Sequence, residues 1–145
     1  MSLSNTSETG LLELLFKNTA WAGIGDAGGL QPSAVAGNFH ARLHTADPGE
    51  AGTGSTTEVA YTGYAPVPIA RGAGFTVVGN QVSNAAQVAF GECTAGAANA
   101  THFSVTYGAG AASPILYRGA LDAARSISAG ITPIYGIGAL TGTAD

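Results

Sequence analysis

The sequence predicts a mainly β protein: a jelly-roll-like antiparallel β-sandwich preceded by a short N-terminal helical segment. Three observations carry that expectation. Apolar and polar residues alternate with a period of two through Asn38–His44, so Phe39, Ala41 and Leu43 face one way and His40, Arg42 and His44 the other. That is the pattern of a half-buried strand. Short runs of similar character follow at 58–64, 67–71, 75–78, 87–90, 101–107, 115–121 and 131–139. Turn-forming residues separate many of them: Asp47-Pro48-Gly49, Gly72-Ala73-Gly74, Gly79-Asn80, Gly108-Ala109-Gly110 and Ser128-Ala129-Gly130. Short strands at this spacing build sandwiches or barrels, not parallel α/β sheets. Pro66, Pro68 and Pro133 belong at sheet edges or strand ends, because proline has no N–H to give to a ladder.

Ahead of the strands, Leu11, Leu12, Leu14, Leu15 and Phe16 put a wide apolar face on a helical segment, with Glu13 and Lys17 to one side. Asn5 or Ser7 would cap it, Glu8 lies three residues after Asn5, and Gly10 works against the helix. Residues 1–32 therefore read as a helical segment plus a Gly-rich connection, and 33–145 as the sandwich domain. The connection contains Gly23-x-Gly25-x-x-Gly28, a formal match to the dinucleotide fingerprint. That fingerprint needs a strand before it and a helix opening within it. Here a helix precedes and Pro32 follows, and a chain with 22 glycines produces such matches by chance. The stretch reads as a loop, and no cofactor is expected.

The 145 residues suffice for one domain with its own core. Only 10% of them are charged, against roughly 25% in an average soluble protein. The surface must then be built from small polar and apolar side chains, which cost little to order and to desolvate on assembly. The net charge is −4, and the five basic residues Lys17, Arg42, Arg71, Arg118 and Arg125 form no cluster that could track a phosphate backbone. Nucleic acid is not an expected partner. No basic region precedes the apolar run near the N-terminus, and no apolar run approaches the roughly 20 residues that span a bilayer. Synthesis in a cytoplasm and no membrane contact are the expectations. Cys93 is the single cysteine, which excludes an internal disulfide and reads as a half-buried thiol.

The chemistry-bearing residues do not assemble into a catalytic pattern. His40 and His44 stand four residues apart on a strand, roughly 13 Å, too far to share a metal ion. His102 lies on another strand. No Gly-x-Ser-x-Gly elbow occurs, and the spacing gives no reason to pair Cys93 with His102 as nucleophile and base. Asp47 and Glu50 flank a Pro-Gly turn and read as solvated charges; the alternating acidic ligands of a calcium loop are missing. Tyr61, Tyr64, Tyr107, Tyr117 and Tyr135 fall on expected strands, where core or rim packing is favoured over a binding face. The sequence therefore predicts no catalytic, cofactor or metal residues, and no enzyme.

Several stretches in a fixed order resemble one family. His44-Thr-Ala-Asp-Pro-Gly49 is followed by Glu58-Val59, Gly63-Tyr64-Ala65, Thr101-His102-Phe103, the run from Ile115 to Leu121, and Ser128-Ala-Gly-Ile131. Across roughly residues 38 to 140 this series is similar to small virion proteins of tailed bacteriophages, some of the head and some of the tail fibre. Within that group it most resembles the jelly-roll capsid-cementing (decoration) protein of a Bordetella phage. Pro66 departs from the family pattern, which often places Arg or another polar residue after Gly-Tyr-Ala. The resemblance implies a structural protein on the outer capsid surface of a virion. It would bind the major capsid protein, cementing adjacent subunits against internal DNA pressure, and form a homodimer on the shell. The alternative is a tail-fibre or receptor-binding protein of the same virion.

Overall fold

The computed structural model describes residues 2–144. Helix α1 (Asn5–Leu12) continues into a π-helical turn, Glu13–Lys17, and nine strands follow: β1 (Asn38–His44), β2 (Val67–Ala70), β3 (Phe75–Val78), β4 (Gln81–Asn84), β5 (Val88–Ala89), β6 (Ala97–Thr106), β7 (Ile115–Ser128), β8 (Ile134–Tyr135) and β9 (Thr141–Thr143). The described chain is mainly β, with antiparallel sheets of four, three and two strands in the orders β2-β1-β6-β7, β3-β4-β9 and β5-β8. It has the character of a β-sandwich. No helix among the described residues is long and apolar enough to cross a membrane.

The N-terminal helix is held by the sandwich. Its N-cap is Ser4, not Asn5 or Ser7, and the Ser4 hydroxyl accepts from the Ser7 amide at 3.4 Å. Leu12 and Phe16, four residues apart on one face, are buried. The Phe16 ring meets Phe39, Phe75 and Tyr117 at centroid distances of 5.6, 5.0 and 5.6 Å. This aromatic cluster joins the helix to the two larger sheets. Arg71 donates to the Leu14 and Leu15 carbonyls, and Lys17 donates to the carbonyls of Gly72 and Phe75, so cations satisfy acceptors at both sides of the contact. Gly10 has a packing reason: a Cβ there would stand 2.6 Å from the Trp21 ring, which lies against the helix.

The Gly-rich connection is a closed loop. Trp21 and Leu30 exchange backbone hydrogen bonds across its neck, and the Asp26 carboxylate accepts from the amides of Gly28 and Gly29. Gly28 of the formal fingerprint thus gives its amide to the loop itself.

Four expectations are corrected. Residues 58–64 form no regular strand; they touch the sheets through isolated bridges, Glu58 with His44 and Thr62 with Ala95. The expected 131–139 strand shrinks to Ile134–Tyr135. Strands β4 and β9 were not expected, and β7 runs seven residues past Leu121. Lastly, β1 is not half-buried: Arg42 and His44 are as buried as Leu43. A loop covers the polar face of this strand.

Candidate functional site

That covering loop, residues 45–66, is where the polar residues of the chain converge. Arg42, only 1% exposed, reaches outward from the middle of β1. Its Nη1 pairs with Glu58 Oε1 at 2.7 Å, and Nε donates to the Thr106 hydroxyl at 3.2 Å. Nη2 donates to the carbonyls of Ala109 at 2.6 Å and Gly110 at 2.8 Å. One guanidinium therefore ties β1 to the covering loop and to the β6–β7 connection, residues 107–114. Its planar fork of five donors can satisfy such a mixed set of acceptors at once.

Glu58 is shared further. The Tyr64 hydroxyl donates to Glu58 Oε1 at 2.9 Å and accepts from the Leu43 amide at 3.1 Å. Burial raises the Tyr64 pKa strongly, so the phenol stays protonated and remains a donor. The two loops also bond each other directly: the amides of Gly54 and Ser55 donate to Ser113 and Ala111, both at 2.9 Å. Gly54 lies against the guanidinium so closely that a Cβ would stand 2.7 Å from it.

His44 sits beside this network with no exposed surface. Its Nδ1 is 2.8 Å from the Thr56 carbonyl and its Nε2 is 2.8 Å from the Ser104 hydroxyl. A carbonyl only accepts, so Nδ1 carries the proton and Nε2 of the neutral ring accepts from Ser104. Burial, chiefly, lowers the pKa of His44 below the ordinary imidazole value.

The other residues singled out in the sequence are dispersed. His102 stands in register with His44 across β1 and β6, but its Nδ1 is engaged by Thr101 Oγ1 at 2.9 Å. Cys93 is fully buried, not half-buried, and its thiol donates to the carbonyls of Ala95 and Gly96. Asp47 accepts from the Gly49 amide and from Arg118 Nε at 2.7 Å, and these bonds lower its pKa; Glu50 is exposed. Tyr61 and Tyr135 are buried, whereas Tyr107 is 56% exposed at the mouth of the 107–114 loop. Tyr61 and Tyr64 of the covering loop form a second aromatic chain with Phe90 and Tyr135, with centroids 5.4 to 6.0 Å apart. Among the described residues, no three His, Cys, Asp or Glu side chains gather as metal ligands.

The network centred on Arg42 is a mechanical arrangement. What it does is hold two loops in one shape at one end of the four-stranded sheet, with small exposed residues at the tip of the 107–114 loop: Ala109, Gly110, Ala111 and Ala112. The Arg42–Glu58 pairing, 16 residues apart, was not foreseen, because alternation alone places Arg42 outward.

Comparison with known proteins adds the decisive observation. From residue 2 to residue 143 the chain matches the family model described as Podophage GP4 fiber I protein gp80. The chain belongs to that family. No curated protein matches it significantly. Membership in the gp80 fibre family makes the protein a structural component of a phage virion. It supports the tailed-phage resemblance seen in the sequence, and lends nothing specific to the likeness with a Bordetella decoration protein.

Proposed function

We propose that the protein is a tail-fibre component of a podophage virion, a non-catalytic binding module that faces the host. The family match over residues 2–143 carries this reading. The loop architecture agrees with it. Loops 45–66 and 107–114 are fastened from within by Arg42 and Glu58, so their exposed tips present a pre-ordered surface, and pre-ordering lowers the entropic cost of binding.

The motif series from His44 to Ile131 favours a second reading, in which the protein cements the capsid by binding the major capsid protein. A protein bound only to the assembled shell would add its binding free energy to that state. Localisation and function on virions separate the two. In the fibre reading, antibody against this chain labels the tail, purified protein competes with phage for adsorption, and virions lacking it keep intact heads but fail to adsorb. Label distributed over the head, with heads that break at milder heat when the protein is missing, overturns the fibre reading in favour of the cement.

A further inference from the structure

The long edge strand of the four-stranded sheet, β7, is interrupted partway. Its register with β6 breaks between Ala120, opposite His102, and Arg125, opposite Ala100. Residues 121–124 therefore stand against the single residue Thr101, and the bulge leaves Asp122, Ala123, Ala124 and Arg125 exposed. Bulges re-aim side chains, and this one sets a carboxylate and a guanidinium at the same groove, a space of about 330 Å³ between β7 and β8.

Tyr135 forms part of the groove wall. The residue is 7% exposed, and its hydroxyl is buried without a hydrogen-bond partner. The Arg125 guanidinium lies near enough to that hydroxyl to counter part of the upward pKa shift that burial imposes. Arg125 is itself exposed, so a change of its rotamer opens the hydroxyl to the groove. Ion pairs among the described residues are Arg42–Glu58 and Arg118–Asp47, which leaves both Asp122 and Arg125 without one. Apolar surface completes the lining: Ile134, 44% exposed, and the small side chains of Ala123 and Ala124.

The groove thus holds an anionic acceptor, a cationic donor and a hydroxyl that lacks a partner, set among apolar side chains. A free anion would be drawn by Arg125 and repelled by Asp122, and a free cation the reverse. A purely apolar ligand would strip water from all three polar groups and return nothing. An added peptide strand needs an evenly spaced row of backbone groups, which the register break takes away at residues 121–124. Hydroxyl groups fit, because each one both donates and accepts. Two neighbouring hydroxyls of a sugar ring can donate to the two oxygens of Asp122, while other ring oxygens accept from Arg125 and Tyr135. The C–H face of the ring then lies on Ile134 and the alanines. The volume stands at the lower end of the roughly 300–1,000 Å³ of small-molecule sites, which suits a mono- or disaccharide unit. We propose that the groove between the β7 bulge and β8 is a saccharide-binding site, in which Asp122 accepts from a vicinal pair of hydroxyls of an uncharged sugar and Arg125 and the Tyr135 hydroxyl donate to its oxygens. The site is set by the groove itself and does not depend on where in the virion the protein sits.

Titration of the full chain with glucose, galactose, mannose, rhamnose and N-acetylglucosamine tests it, read by the Tyr135 ring and Arg125 side-chain resonances. At least one of these sugars is expected to give a saturable shift at concentrations up to about 50 mM, which reaches millimolar affinities. The binding should change little with salt, because the ligand carries no charge. Asp122→Ala and Arg125→Ala, both at exposed positions, should each weaken it by about tenfold with an unchanged melting curve. Tyr135→Phe keeps the ring against Phe90 and should weaken it as well. A methyl glycoside that binds like its parent sugar makes the ligand a ring within a glycan chain, and one that fails makes it a free reducing sugar; the site stands in both cases. No saturable shift from any of these sugars overturns the proposal, as do Asp122→Ala and Arg125→Ala variants that bind like the wild type. Shifts given by acetate alone, which mark an anion site, or by triglycine alone, which mark a peptide site, overturn it too.

Discussion

Arg42–Glu58 and Arg118–Asp47 are both closed at 2.7 Å, yet their surroundings are opposite. The first pair has side chains 2% and 17% exposed, the second 29% and 54%. Around Arg42 the chain supplies a hydroxyl and several carbonyls, and around Glu58 a tyrosine hydroxyl, so the pair is the centre of a network linking three segments. Arg118 and Asp47 have water within reach, and their attraction is weakened by the high dielectric and by salt. Equal distances therefore do not mean equal consequences. In a chain with only five basic residues, one is spent on an interior loop fastening, and that choice shapes the surface above it.

The largest effect is expected from breaking the buried pair on one side. Glu58→Ala leaves a buried guanidinium without its counter-charge and should cost about 3–5 kcal/mol, read as a lower urea midpoint at unchanged slope. Limited proteolysis of that variant should begin within 45–66 or 107–114. An unchanged midpoint would mean that the pair fastens nothing.

Removing both charges should hurt less than removing one. Arg42→Met combined with Glu58→Leu takes away the uncompensated charge, although the carbonyls of Ala109 and Gly110 lose their donor. The double variant is expected to be more stable than Glu58→Ala alone. A loss equal to the sum of the two single losses would show that the residues act independently.

A smaller effect is expected from acid. Burial, chiefly, holds the pKa of His44 below 6.5 in the folded protein, and burial with the nearby Arg42 charge does the same for His40. An unfolded imidazole takes up its proton near pH 6.5, while the folded one resists until lower pH. The unfolded state then binds more protons, so stability is full above about pH 6.5 and falls as the pH drops toward the folded-state values. His44→Gln should flatten part of that slope in melts between pH 7.5 and pH 5. A slope identical to the wild type would assign the acid sensitivity to other groups.

The smallest effect belongs to the exposed pair. Asp47→Asn keeps the turn's acceptor for the Gly49 amide and removes only the charge facing Arg118. The melting midpoint should not move measurably, and adding 0.5 M salt, at which screening acts over a few ångströms, should leave wild type and variant alike. A clear loss on this substitution would erase the contrast between the two pairs.

Some of this architecture was legible beforehand. The period-two pattern located β1 and β3 to the residue, because a strand between core and covering layers must alternate its side chains. The same signal at 58–64 was real as burial: Val59 and Tyr61 are in the core, Ala60 and Thr62 are out. It was wrong as a strand, since no neighbour runs alongside to complete a ladder. Strand β4 has one apolar residue, Val82, in Gln81–Asn84 and gives no pattern; it is a strand because the Gly79-Asn80 turn folds it onto β3 and β9 pairs with its other side.

By itself, then, the sequence determined the mainly β class, the turn positions, the helix that needs a partner for Phe16, and the poverty of charge. These follow from local periodicity, backbone preferences and composition, which act over a few residues. The tertiary structure alone decided that Arg42 and His44 are interior, because the covering loop arrives from 10 or more residues away and brings the acceptors that make burying a cation tolerable. It alone also placed the β7 bulge against Tyr135, because a register break between two strands is a property of their pairing and leaves no mark in either one.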